Sequence, residues 1–350
     1  MEVYPYSPGL LLAAFCSGII PVNAGCNKIV ARKLTPGYHF LRRLAARPGR
    51  LWTLTGGTLA LLTLGCVVLA LAQSGKGTGS GRRTITLNVI AHAPEGTQVT
   101  REDFDLYDGG APQEIESFSR LDSGSRLILM VDSSTNLKAE AAALQKAMEA
   151  VINELYQDDQ MMVVAYNETA EILEDMTPDL AKLQATPAKI IRKGSPSLFD
   201  ALVAVADALS SQANTGFEKR AIILISDGHD AESKTKFDDA LRALQDGNVI
   251  LYTIQVPDRT RGALVRDKPK PPAAIEQLTV GTGGAVYPFE KAAEAAKTIS
   301  DDLRKNWYRL VYSPSGINTL NMRRLLLMSH NPNIQLRTKG SHPAKYHRPY

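Results

Sequence analysis

Oxygen-bearing side chains are concentrated at two points of the sequence, each directly behind a short apolar run. LILMVDSSTN (127–136) places Asp132, Ser133, Ser134, Thr135 and Asn136 after five apolar residues, and AIILISDGHD (221–230) places Asp227, Gly228, His229 and Asp230 after another run. Carboxylates, hydroxyls and amide oxygens are the donors that hard divalent cations such as Mg2+ take, often with waters completing the shell. Asp, Ser and Asn are also ordinary turn and helix-cap residues, which is the plainer reading of either stretch alone. The two stretches together, in this order, favour a site. Other chemistries are poorly served. His229 has no second histidine three or four residues away, so a zinc-ligating pair is missing. A strand followed by Asp opens one class of phosphoryl-transfer enzymes, but the second acid needed two residues later is replaced by Ser134. There is no Gly-x-Ser-x-Gly elbow and no Gly-x-x-x-x-Gly-Lys-Ser/Thr phosphate loop. GTGG (281–284) reads as a loop before a strand rather than a phosphate cradle. Cys16, Cys26 and Cys66 all precede residue 84, so the body of the chain has no thiol for a metal, a nucleophile or a disulfide.

For Asp132 and Asp227 to meet, both runs must be neighbouring strands. Five short apolar runs, Leu127–Val131, Met161–Ala165, Ala221–Ile225, Val249–Ile254 and Ala285–Tyr287, suit strands buried on both faces of a parallel sheet. Between them apolar residues recur at helical spacing: Leu137, Ala141, Leu144, Met148, Val151 and Leu155; then Leu198, Leu202, Val205 and Leu209; then Phe237, Leu241 and Leu244. A last amphipathic helix is expected over 290–305. Alternating strands and helices predict an α/β domain over residues 123–305, an open, doubly wound and mostly parallel sheet flanked by helices. Ligands of such sheets bind beyond the C-terminal strand ends, where both acids fall.

The flanks read differently. Ile85, Leu87 and Val89 alternate with polar residues, and Thr100 to Asp103 has capping-box spacing. Phe104–Tyr107 and Glu114–Phe118 read as a hairpin about Asp108, Gly109 and Gly110. Strands are expected again at Tyr308–Tyr312, Met322–Met328 and Ile334–Arg337. Residues 84–122 and 306–340 are therefore expected to pair into one small β domain, with the α/β domain inserted between them. Residues 341–350 form a polar tail.

Residues 1–72 carry seven basic side chains against one acid, which leaves 33 bases and 35 acids for the remainder. A near-neutral body argues against a nucleic-acid partner. The basic residues precede the apolar stretch 51–72, so residues 1–50 read as a cytoplasmic or leader segment and the body as exported. The stretch just reaches the roughly 20 apolar residues of a membrane anchor. It equally contains a signal-peptide core, with Ala70-Leu71-Ala72 as a cleavage signal. Both readings remain open: a single-pass anchored protein, or a secreted or periplasmic one cut near Ala72. Residues 73–83, rich in Gly and Ser, form a linker.

LILMVDSSTN followed by ISDG resembles the von Willebrand factor A family and its metal-ion-dependent adhesion site. Asp132 and Ser134 match the family's Asp-x-Ser-x-Ser motif, with Asn136 at the last Ser offering a carbonyl oxygen instead. Asp227 matches the distal Asp. The middle motif, Gly-Gly-Thr-x-Leu-Tyr-Asp-Ala in a bacterial subgroup, corresponds to GSPSLFDA (194–201). There Pro196 stands at the Thr, so Ser195 or Ser197 would substitute only on a shifted loop path. VTREDFDLYDGGAPQEIESF (99–118) and WYRLVYSPSG (307–316) resemble the segments flanking the A domain in that subgroup, so the likeness spans residues 84–350. It implies a metal site of Asp132, Ser134, Asn136 and Asp227, holding Mg2+, or Mn2+ or Ca2+, weakly. It also implies a protein partner whose acidic side chain supplies the remaining ligand. The expectation is an exported, non-enzymatic binding or adhesion module at the cell envelope. The alternative is a metal-independent interaction scaffold there, and a metal-dependent phosphohydrolase is a third, more remote reading.

Overall fold

The computed structural model describes residues 84–211, 218–261, 268–317 and 322–342. The chain divides into two units, Met1–Gly77 and Thr78–Tyr350, and every described residue belongs to the second. The expected anchor or signal segment at 51–72 and the linker at 73–83 lie outside the described residues. Among the described residues no helix is long and apolar enough to cross a membrane.

The first four strands, β1 (Ile85–His92), β2 (Phe104–Asp108), β3 (Ala111–Gln113) and β4 (Ile115–Arg120), precede the α/β part. Four more follow it: β11 (Trp307–Tyr312), β12 (Arg323–Ser329), β13 (Gln335–Thr338) and β14 (Ser341–His342). They form two four-stranded sheets, ordered β13-β1-β11-β4 and β14-β12-β2-β3, in each of which strands from both flanks pair. The sheets share one core in which Leu87, Val89, Leu310 and Tyr312 meet Phe104, Leu106 and Leu325. The capping box at Thr100 forms, its backbone N–H and hydroxyl both donating to Asp103 at 2.8 and 3.1 Å. The hairpin expected from the sequence is corrected. Gly109 and Gly110, with φ of 62° and 84°, make the tight turn that joins strands of right-handed twist, but they join β2 to β3. β4 crosses to the other sheet and lies against β11, where Phe118 stacks on Tyr308 with ring centroids 4.8 Å apart.

Between the flanks lies a six-stranded sheet ordered β10-β9-β8-β5-β6-β7. Its strands are β5 (Ser125–Asp132), β6 (Gln160–Tyr166), β7 (Ala170–Thr177), β8 (Lys219–Ser226), β9 (Ile250–Gln255) and β10 (Val286–Pro288). All neighbours run parallel except β7, which pairs antiparallel with β6 at the edge. The period-2 alternation of a strand sorts β5 onto two cores. Leu127, Leu129 and Val131 join the helices α1 (Ala141–Asn153) and, later in the chain, α6 (Ala292–Asp301) on one face. Ile128 and Met130 join α3 (Leu198–Ser211), α4 (Phe237–Asp246) and Leu278 of α5 (Pro271–Thr282) on the other. The short helix α2 (Leu180–Gln184) follows β7. The segment GTGG is not simply a loop: Gly281 and Thr282 close α5, and only the last two glycines lead to β10.

The two parts are joined by polar contacts as well as by Ile90 and Trp307, which enter the core on the α1 face. Asp302, buried in the turn after α6, accepts hydrogen bonds from Tyr252 (3.1 Å) and Arg337 (2.5 Å) and lies 2.6 Å from His92 Nε2. Lys339 reaches the Gln245 carbonyl and Asn248 Oδ1 at 3.0 and 2.9 Å. Burial pushes the Lys339 amine down to about 8.

A guanidinium at the strand-end acid pair

β5 and β8 are adjacent and in register, Val131 beside Ile225, so Asp132, the last residue of β5, and Asp227, which follows β8, come together at the C-terminal edge. Asp132 and Asp227 are fully buried. Each folds its own loop back on itself. Asp132 Oδ1 accepts from the Ser134 backbone N–H at 2.8 Å and from its hydroxyl at 2.5 Å, and Asp227 Oδ1 accepts from the His229 N–H at 3.1 Å. The turn after Asp227 requires glycine. Gly228 has φ of +80°, and a Cβ there would sit 2.4 Å from the Pro271 carbonyl oxygen. Below the acids the Tyr166 hydroxyl, fully buried, lies 2.8 Å from Ser226 Oγ.

The third member of the cluster is Arg259, four residues beyond the end of β9. Its Nε donates to Asp227 Oδ2 at 2.6 Å and its Nη2 to Asp227 Oδ1 at 2.9 Å, a two-point fork. Nη2 also donates to Asp132 Oδ2, Nη1 to Ser134 Oγ at 2.6 Å, and the backbone N–H to Asp227 Oδ2 at 3.1 Å. The Arg259 side chain is only 9% exposed. Burial would lower its pKa, but the hydrogen bond to Asp227 and the charges of Asp132 and Asp227 raise it, so the group is a firm cation. Burial raises Asp132, against the pull of Arg259 and the Ser134 hydrogen bonds. With both acids ionised, the cluster carries one more negative charge than positive.

The sequence-derived ligand set is only partly assembled. Asp132, Ser134 and Asp227 converge, whereas Asn136 is exposed on the outer rim beside Thr135. In the middle loop Pro196 is buried and its carbonyl accepts from the Ala231 and Glu232 N–H groups at 2.8 and 3.3 Å. Ser197 is buried and donates its N–H to the Asn167 carbonyl, while Ser195 is half-buried. Among the described residues, the side-chain hydrogen bonds of Asp132, Ser134 and Asp227 include none to the hydroxyl of Ser195 or Ser197. Asp230 acts elsewhere. It accepts from the Phe199 N–H at the start of α3, from Ser233, and from Lys268 at 2.6 Å. Asp200 returns the link by accepting from the Lys234 and Thr235 N–H groups.

Sequence reasoning did not include Arg259 or Lys268. A signal for Arg259 existed: in the order β9-β8-β5, a cation just past the end of β9 falls beside the acid that follows β8. The arrangement does not fit a divalent cation. The guanidinium already donates hydrogen bonds to the three side chains a metal would use, and among the described residues no three acidic, His or Cys side chains are placed to hold a metal ion.

Fold and site together define an open α/β domain with an acid pair at the ends of adjacent parallel strands. Residues 127–229 match the von Willebrand factor type A domain, and the chain carries a domain of this family. Similar solved structures include an aerotolerance-related membrane protein from Bacteroides fragilis, 15% identical, covering 52% of this chain and 100% of that one with a TM-score of 0.40. BatB from Bacteroides thetaiotaomicron is 16% identical, covering 52% and 98%, with a TM-score of 0.39. A von Willebrand factor type A protein from Catenulispora acidiphila is 14% identical, covering 71% and 73%, with a TM-score of 0.43. A search of curated proteins found no match.

Proposed function

We propose that this protein is an exported, non-enzymatic interaction module at the cell envelope, and that it engages a protein partner with the C-terminal edge of its six-stranded sheet. The observation that carries this reading is the convergence of the β5, β8 and β9 ends on one buried polar cluster, ringed by exposed Thr135 and Asn136. That edge is where open α/β sheets present ligand sites. The membership of the domain in the von Willebrand factor A family supports protein binding as the activity, and the basic flank before residues 51–72 supports export. A phosphohydrolase reading is disfavoured because Asp132 and Asp227, the acids it would need, are both committed to Arg259. The alternative named from the sequence, an interaction scaffold that works without a metal, is the form that this geometry favours.

A photo-cross-linking residue at Asn136 tests the proposal, with one at exposed Asp158, before β6 at the other end of the sheet, as control. The expected result is a discrete protein adduct from Asn136 in envelope preparations and none from Asp158. Identical adducts from both positions, or turnover of a phosphomonoester abolished by Asp132→Asn, would sink it.

A further inference from the structure

We infer that Arg259 is a built-in replacement for the metal ion, so that the strand-end site is closed by a covalently tethered cation and takes no divalent ion. This inference concerns the cluster itself and stands whether or not that edge of the sheet binds a protein. Three observations carry it. First, the guanidinium contacts Asp132, Ser134 and Asp227, the three side chains that converge where the family's metal would sit. Four of its five N–H hydrogens are used on them, through one from Nε, one from Nη1 and two from Nη2. Second, the positions that would complete a metal shell are lost together: Asn136 faces solvent, and Pro196 has no side-chain oxygen. Third, Arg259 is held by its backbone as well as its side chain, since its N–H also donates to Asp227. The arginine is thus built into the turn rather than laid across it.

A guanidinium and a hydrated divalent ion cannot share one pair of buried carboxylates. The arginine, attached to the loop after β9, competes at a high local concentration that no dilution lowers. Unlike a metal, it has no open coordination position, so an acidic side chain of a partner has nothing to complete.

The test is Mn2+ binding followed by electron paramagnetic resonance on the full chain, with thermal unfolding in parallel. Wild type is expected to show no Mn2+ site sensitive to Asp132→Ala up to millimolar concentration, and its Tm should move by less than about 1 °C on adding Mn2+ or a chelator. Arg259→Ala leaves the two acids without their cation. It should gain one Mn2+ site, at least tenfold tighter than any in wild type, and lose it again when Asp132→Ala is added. A wild-type Mn2+ site abolished by Asp132→Ala would overturn the inference. So would a folded Arg259→Ala protein that gains no site, because Arg259 would then not be what excludes the ion. If Arg259→Ala does not fold, the wild-type measurement alone still decides.

Discussion

Asp302 offers a quantitative test of how the β part is fastened to the α/β part. Its carboxylate is fully buried and serves Tyr252, Arg337 and His92 at once, drawing on β9, β13 and β1. Asp302→Ala would leave the Arg337 guanidinium facing a void and the buried Tyr252 hydroxyl without this acceptor. Removing one partner of a buried ion pair costs about 3–5 kcal/mol. The Arg337 side chain is 26% exposed and recovers some hydration, which argues for the lower end, about 3 kcal/mol. At roughly 2–4 °C per kcal/mol for a domain of this size, Tm should fall by about 6–12 °C. The assay is thermal unfolding by circular dichroism, with Arg337→Met in both backgrounds. The double variant should recover about 1–3 kcal/mol relative to additivity, because it removes the orphaned charge. Burial pushes the Asp302 pKa up, but the His92 hydrogen bond and the Arg337 charge outweigh it and hold the group below the ordinary carboxylate value. The stabilisation is therefore complete above about pH 4 and is lost as pH falls through the lowered folded value. The penalty of Asp302→Ala should shrink in acid accordingly. A Tm change under 2 °C at neutral pH, or strict additivity with Arg337→Met, would refute the reasoning.

Two further outcomes are expected. Gly228→Ala should cost about 3 kcal/mol or more in urea unfolding, because the new Cβ meets the Pro271 carbonyl as well as a left-handed backbone; Gly96→Ala, at φ of +81° in open space, should cost only the backbone term, about 1–2 kcal/mol, and equal losses would contradict the close approach. Lys339, held down to about 8, penalises the fold fully at pH 7, and that penalty lifts between pH 8 and 10.5, where the unfolded chain binds the proton more tightly; the stability of wild type relative to Lys339→Met should rise by about 2 kcal/mol from pH 7.5 to 9.5, and a flat difference would show the amine to be charged throughout.

The elements that the sequence made legible are those with a strong period. The runs behind Asp132 and Asp227 became β5 and β8, and the stripes from Leu144 to Val151 and from Leu198 to Leu209 became α1 and α3. What escaped had weak or mixed patterns. β7 reads AEILEDMT, a charged and half-exposed edge strand with no apolar run to mark it. α5 begins with two prolines, which suit a first helical turn, and its buried residues Ala274, Ile275, Leu278, Thr279 and Thr282 do recur at helical spacing, but two of them are Thr while apolar Val280 is exposed, so no apolar stripe marks the face. The β2–β3 hairpin was misplaced because Ile115 and Phe118 look equally suited to either sheet until Tyr308 is there to stack on Phe118. Arg259 was hidden for a different reason. Lone arginines in loops carry no period, and its role depends on which strand lies beside which, a fact of topology rather than of local sequence.

The replacement of a metal by an arginine changes what the cluster can contribute. A divalent ion would neutralise both carboxylates and keep one face open, so the binding energy of a partner could flow through a bridging carboxylate. A guanidinium carries one charge, is planar, and spends its donors in fixed directions on Asp132, Ser134 and Asp227. What it gives instead is a fixed loop geometry. The ends of β5, β8 and β9 are tied at one point, and the loop carrying Thr135 and Asn136 is anchored to the middle loop through the Thr135 N–H on the Gly194 carbonyl and the Lys193 N–H on the Ser133 carbonyl. The middle loop is tied in turn to the segment after Asp230 through Pro196. Pro196 thus supplies no side-chain oxygen to the expected ligand set, and the tie is made by its backbone carbonyl alone. On the proposed reading, the cluster is a frame that holds a surface rather than a site that exchanges a ligand, and recognition falls to the exposed rim rather than to the buried acids.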